Sequence, residues 1–149
     1  MSDPRELYQQ VILEHNKKPR NFGKLDPCTH YAHGLNPLCG DDIEVTLVVE
    51  DGIVRDLKFQ GHGCAISQAS SSLMTVNVKG KPVAEAETMV AQFREMIRGK
   101  LDPTTDPHIL GKLTLFQGVK DLPSRVKCAV LPWATLHSAL EGENAASTE

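Results

Sequence analysis

The sequence predicts an α+β fold, a small antiparallel sheet of about three strands with helices packed on one face. Three observations carry that expectation. Ile43, Val45, Leu47 and Val49 alternate with Glu44 and Thr46, the period of a strand with one buried face. Ala86, Val90, Phe93 and Ile97 recur at helical spacing, and Val126, Val130, Trp133 and Leu140 share one face of a later helix. The strand-like residues form one run between helical segments, an order that puts helices and sheet in separate layers.

Each element has its own local signal. Pro4 to Lys17 reads as a helix with Asp3 as N-cap and Pro4 at the first helical position. Leu7, Val11 and Ile12 share its apolar face, and His15 falls near it. Lys18-Pro19-Arg20-Asn21-Phe22-Gly23 stops this helix and opens an extended loop past Cys28 to Pro37. Asp51-Gly52 is a hairpin turn signal, with Ile53, Leu57 and Phe59 on the return strand until Gly61-His62-Gly63 interrupts it. A third strand is expected either around Cys64-Ala65-Ile66 or just before the hairpin.

Ser67 is the expected N-cap of a small-residue helix that ends near Gly80, its serines allowing close packing. Val83 to Arg98 forms the next helix, terminated by Gly99. Lys100 to Gln117, with Asp102-Pro103-Thr104-Thr105-Asp106-Pro107 at its start, reads as an irregular inserted excursion. Long loops are often functional, and this one is expected to take part in docking a partner. The last helix spans Pro123 to Leu140, kinked or split at Pro132. Residues 142–149 read as a disordered tail of a single domain over 1–149.

The 149 residues carry a formal net charge of −3, which calls for neither a nucleic-acid nor a membrane-surface partner. No apolar run approaches the length of a membrane span. Met1 to Glu6 is polar and acidic, unlike a secretory signal, so a cytoplasmic location is expected by elimination. Four cysteines lack the density of a secreted disulfide framework and read as free or metal-bound thiols.

Three of those cysteines stand in informative surroundings. Cys39-Gly40-Asp41 offers a thiolate and a carboxylate from one tight turn, and Gly61 and Gly63 free the backbone before Cys64. Cys64 precedes a helix whose positive end favours a thiolate. Cys128 comes from a distant helix that only the fold can bring near. Three thiols and an acid suit a borderline-soft metal at one end of the sheet. The spacing alone is not a paired metal motif, and plain burial of free cysteines accounts for it equally well.

Longer segments narrow the choice. Leu7-Tyr8 to His15, Pro19-Arg20-Asn21-Phe22-Gly23, Asn36-Pro37-Leu38-Cys39-Gly40-Asp41, Gly61-His62-Gly63-Cys64-Ala65-Ile66-Ser67 and Lys127-Cys128 resemble, in order, the U-type iron–sulfur cluster assembly proteins, the IscU and NifU N-terminal family. The resemblance spans nearly the whole chain and implies Cys39, Asp41, Cys64 and Cys128 as metal ligands. IscU-type scaffolds usually carry a histidine before the last cysteine, where this chain has Lys127, and they lack the excursion at Lys100 to Gln117. Both departures, with Pro123 to Cys128 and Leu131-Pro132-Trp133, resemble the SufU type. That type is implied to bind zinc and to accept persulfide sulfur from a SufS-type cysteine desulfurase.

The expected function is zinc-dependent sulfur transfer for iron–sulfur cluster assembly, with downstream assembly proteins as further partners. The chain is then an enzyme only as a sulfurtransferase, because carbon–sulfur cleavage belongs to the partner. Two alternatives stay open: a scaffold that builds a transient iron–sulfur cluster on the same cysteines, and a structural zinc module that only binds partners. A closed tetrahedral site leaves no open position for hydrolysis. Cys39 is the candidate persulfide acceptor because its loop moves more easily than the helix carrying Cys128. Arg125 is a candidate for steadying anionic sulfur, with a solvated helix charge as the plain alternative. Cys28 is read as a bystander, His62 as a turn residue, and His15, His30, His33, His108 and His137 as ordinary polar or surface residues.

Overall fold

A computed structural model describes residues 4–147 of the chain. Helix α1 (Pro4–Lys17) precedes three strands, β1 (His30–Asn36), β2 (Asp41–Glu50) and β3 (Ile53–His62). Helices α2 (Ala65–Val78) and α3 (Val83–Ile97), a 3₁₀ helix (Gly111–Asp121), α4 (Pro123–Leu140) and the short strand β4 (Ala145–Ser147) follow. The sheet order is β3-β2-β1-β4, with β2 antiparallel to both neighbours and β4 parallel to β1. The class is α+β as expected, but the sheet has four strands and is mixed.

The hairpin forms where the alternation placed it. Asp51 and Gly52 both take positive φ, 53° and 74°, the backbone that a two-residue turn needs to match strand twist. Ile43, Val45 and Leu47 are fully buried. A bulge between Val48 and Val49 shifts the register, so Val54 is buried in place of Ile53. The third strand is β1, just before the hairpin, inside the stretch read as loop to Pro37. Its buried positions are Ala32, Gly34 and Asn36, which give almost no hydrophobic signal.

Helix α4 packs on β1 because Gly34 has no side chain: a Cβ there would run into the Thr135 hydroxyl and Leu131. Trp133 stacks on Phe93 at 4.7 Å and donates its indole N–H to Ser70 Oγ at 3.1 Å. Ser70 in turn donates to the Ala129 carbonyl at 2.7 Å. Ser67, Ser70, Ser71 and Ser72 are all buried, so the serine run serves helix contact, as its small side chains suggested. Ser72 Oγ also takes up His15 Nδ1 at 2.6 Å, and burial, ahead of the nearby Arg20 charge, pushes that imidazole down. His15 is therefore a core polar residue.

Several boundaries differ from expectation. Cys64, not Ser67, caps α2, its Sγ accepting the Ser67 N–H at 3.4 Å. Gly61 belongs to β3, paired with Ile43, and does not interrupt it. Pro132 does not split α4, which runs unbroken to Leu140. Ala145–Ser147, read as part of a disordered tail, pairs with β1. The N-cap assigned to Asp3 and the end of the tail at 148–149 lie outside the described residues.

The excursion also changes character. Its first half is irregular, but Gly111–Asp121 is helical, and Leu101, Leu110, Leu113, Phe116 and Val119 are buried. Phe116 meets Phe93 and Tyr8 edge-on, at centroid distances of 5.7 and 6.0 Å. The segment is part of the core, not a detachable loop. Phe116→Ala is therefore expected to lower unfolding free energy by about 3–5 kcal/mol in urea titration, and a loss under ~1 kcal/mol would return this segment to the surface.

Candidate metal centre

The four residues implied as ligands come from four places that meet at one end of the sheet. Cys39 lies in the β1–β2 turn, whose Cys39 N–H donates to the Asn36 carbonyl at 3.2 Å. Asp41 opens β2 and is 1 % exposed. Cys64 caps α2 directly after β3, and Cys128 stands in the second turn of α4, fully buried.

Cys39, Asp41 and Cys128 converge: each has a ligand atom, and all three atoms lie within 4.8 Å of one another. Cys64 adjoins this trio without falling inside that limit. Its backbone N–H donates to Asp41 Oδ1 at 2.8 Å, and its thiol approaches Cys128. Burial first, and then the neighbouring Cys39, Cys64 and Asp41, pushes the Cys128 thiol far up from its usual range. A metal bound here has to displace that proton, so affinity falls as pH falls.

Further contacts fix these side chains. Asn36 Nδ2 reaches Asp41 Oδ2 at 3.3 Å and Cys128 Sγ at 3.6 Å. Its Oδ1 is buried without a partner. Gly63 makes room for the carboxylate, because a Cβ there would sit 2.6 Å from Asp41 Oδ1. The Arg125 guanidinium is held up by its hydrogen bond to Cys128 and then by the charges of Cys64 and Cys128. Two converging thiols, an adjoining third and a buried carboxylate form a donor set that suits zinc.

The remaining candidates stand elsewhere. Cys28 is half-buried before β1, where the neighbouring Thr29 N–H donates to the Leu47 carbonyl, at the far end of the strand from the site. His62 is exposed at the end of β3. His33 pairs with Asp42 at 2.5 Å and His137 with Glu87 at 3.0 Å. Asn36 is the site residue that sequence reasoning passed over. Its signal was present, an amide beside the Pro37-Leu38-Cys39 turn, but only the fold shows it buried between two candidate ligands.

Residues 7–129 match the model of the NifU-like N terminal domain. The chain belongs to that family. It is 43% identical over 138 residues to the zinc-dependent sulfurtransferase SufU of Bacillus subtilis, covering 92% of this chain and 91% of the relative. It is 42% identical over 135 residues to the scaffold protein IscU of Thermotoga maritima, covering 91% and 93%. A crystal structure of a putative iron–sulfur cluster assembly scaffold protein for the SUF system from Fervidobacterium islandicum superposes with a TM-score of 0.83 at 37% identity, covering 91% and 97%. Identity does not separate the two kinds of relative. Among the described residues no helix is long and apolar enough to cross a membrane.

Gly63→Ala is expected to weaken zinc binding at least about tenfold in competition with a chromophoric chelator, because the added methyl displaces the Asp41 carboxylate. Unchanged affinity would remove Asp41 from the ligand set.

Proposed function

We propose that the protein is a zinc-dependent sulfur carrier for iron–sulfur cluster assembly that accepts persulfide sulfur from a SufS-type cysteine desulfurase. The observation that carries this reading is the unequal footing of the candidate ligands. Cys128 is buried and touched by Asn36 and Arg125, and Asp41 accepts from Asn36 and Cys64. Cys64 accepts the Ser67 N–H at the head of α2. Cys39 instead sits half-exposed on a turn, facing the Ser124 carbonyl oxygen at 3.9 Å, which is an acceptor. Of the three thiols it costs least to release.

Zinc would be held by Cys39, Asp41, Cys64 and Cys128, and when bound it keeps the thiols ionised near neutral pH. The chain's own part follows from thiol exchange. Cys39 Sγ attacks the outer sulfur of the desulfurase persulfide as a thiolate. A sulfur–sulfur bond forms on Cys39 as the one in the donor breaks, and the donor cysteine leaves as a thiolate, with no net oxidation. Arg125, exposed beside Cys128, then steadies the added anionic sulfur. Leu38, 74 % exposed, stands next to Cys39 in the same turn.

The likeness to IscU scaffolds supports a second reading, assembly of a transient cluster on the same cysteines. Lys127 in place of the scaffold-type histidine weighs against it. Purified protein is expected to hold zinc tightly and to stimulate desulfurase turnover. A brown protein that hands its cluster to an apo-acceptor would instead favour the scaffold.

Cys39→Ala is expected to retain metal and to lose at least about 90 % of the sulfur taken up in mass-spectrometric persulfide mapping, a tenfold change in transfer. Persulfidation equal to wild type, with metal still bound, would exclude Cys39 as acceptor.

A further inference from the structure

Helices α3 and α4 run antiparallel: Trp133 stacks on Phe93, while His137, a turn further along α4, meets Glu87, earlier on α3. The stacked rings hold the helices together, so the residues beyond them are placed by packing. His137 Nδ1 and Glu87 Oε2 lie 3.0 Å apart. Glu141, the C-cap residue of α4, stands four residues after His137 and shares its face. One ligand atom from each of Glu87, His137 and Glu141 lies within 4.8 Å of the other two.

An ion pair between the imidazole and Glu87 does not account for this group. It engages one carboxylate oxygen and leaves the other, Oε1, buried with no hydrogen-bond partner. A shielded carboxylate oxygen without a donor is costly, and a cation is the partner it lacks. The two acids also meet at the C-terminal end of an 18-residue helix, where the backbone dipole is negative and adds to their repulsion. His137 is the one basic residue of that last turn. Among the described residues, no lysine or arginine pairs with either acid.

We propose that Glu87, His137 and Glu141 form a second metal site, which takes a divalent first-row transition ion such as manganese(II) or iron(II). One imidazole and two carboxylates are a nitrogen–oxygen donor set without thiolate, suited to harder ions than the cysteine cluster. The ion takes the place of the proton shared by His137 Nδ1 and Glu87. Three protein ligands leave positions for water on the side of exposed Glu141, so the ion exchanges readily. Cys128 lies nine residues earlier on α4, roughly 13 Å along the axis, so the two sites share a helix but no ligand. The inference does not rest on the role of the thiols.

The test is a manganese(II) titration of full-length protein carrying one equivalent of zinc, with free manganese read by electron paramagnetic resonance. One manganese ion is expected to bind per chain, and its spin-echo signal is expected to be modulated by a coordinated imidazole nitrogen. Glu141→Gln, at an exposed position, is expected to weaken binding at least about tenfold, as loss of a ligand does. Glu87→Gln is expected to do the same, and His137→Gln to abolish the nitrogen modulation. Glu143→Gln removes an exposed acid outside the group and should stay within about twofold of wild type, because solvent screens such a charge. No bound manganese, an unmodulated echo in wild type, or a loss in E141Q that E143Q matches overturns the proposal.

Discussion

The buried carboxylate of Asp41 is the constraint on which the rest of the site depends. An acidic side chain that is 1 % exposed has to be met by donors or by a cation. Its two oxygens take the Asn36 amide and the Cys64 N–H, which ties the end of β1 and the junction of β3 with α2 to the first residue of β2. Two strands and a helix start are thereby fixed around one acid, and the thiols on either side inherit their positions from it. Gly63 answers the same demand from the steric side.

The helical layer supplies the remaining thiol from behind. Cys128 is placed by α4, which is placed by Gly34, Trp133 and the serine face of α2. A chain of close contacts thus runs from the aromatic cluster of Phe93, Phe116 and Trp133 to the metal end. The rigid helix and the half-exposed turn give two thiols of one site opposite characters. Cys128 is anchored and hard to ionise, while Cys39 is accessible. A single candidate metal-binding set thus holds one anchored and one accessible thiol.

Much of this was legible in the sequence, and the failures share a cause. Strand β2, α3 and α4 announced themselves because their buried positions are large and apolar, and the Asp51-Gly52 turn did so through residues that accept positive φ. Strand β1 was hidden because its inward residues are Ala32, Gly34 and Asn36, chosen for closeness to α4 and to the site. The 3₁₀ helix was hidden behind Asp102 to Pro107, whose turn chemistry drew attention from Leu113, Phe116 and Val119. The N-cap went to Ser67 because serine is the commoner cap, whereas Cys64 both caps the helix and stands at the metal end. The convergence of Cys39, Asp41 and Cys128 required tertiary structure, since 87 residues separate the acid from the last thiol.

Strand β4 has a consequence beyond completing the sheet. It lies along β1 for three residues, and the His33 N–H beside it is taken by the Asn144 carbonyl. At the opposite border, Asn21 and Gly23 bond to Phe59, and Gly80 and Lys81 bond to Val54. The chain's own backbone thus covers part of the outer side of β1 and of β3, a device that discourages stacking of copies into fibres. It also narrows the route by which many adaptors recruit an extended peptide as an extra strand. Recognition then falls more to side chains, with exposed Leu38 and half-exposed Cys39 together on the β1–β2 turn.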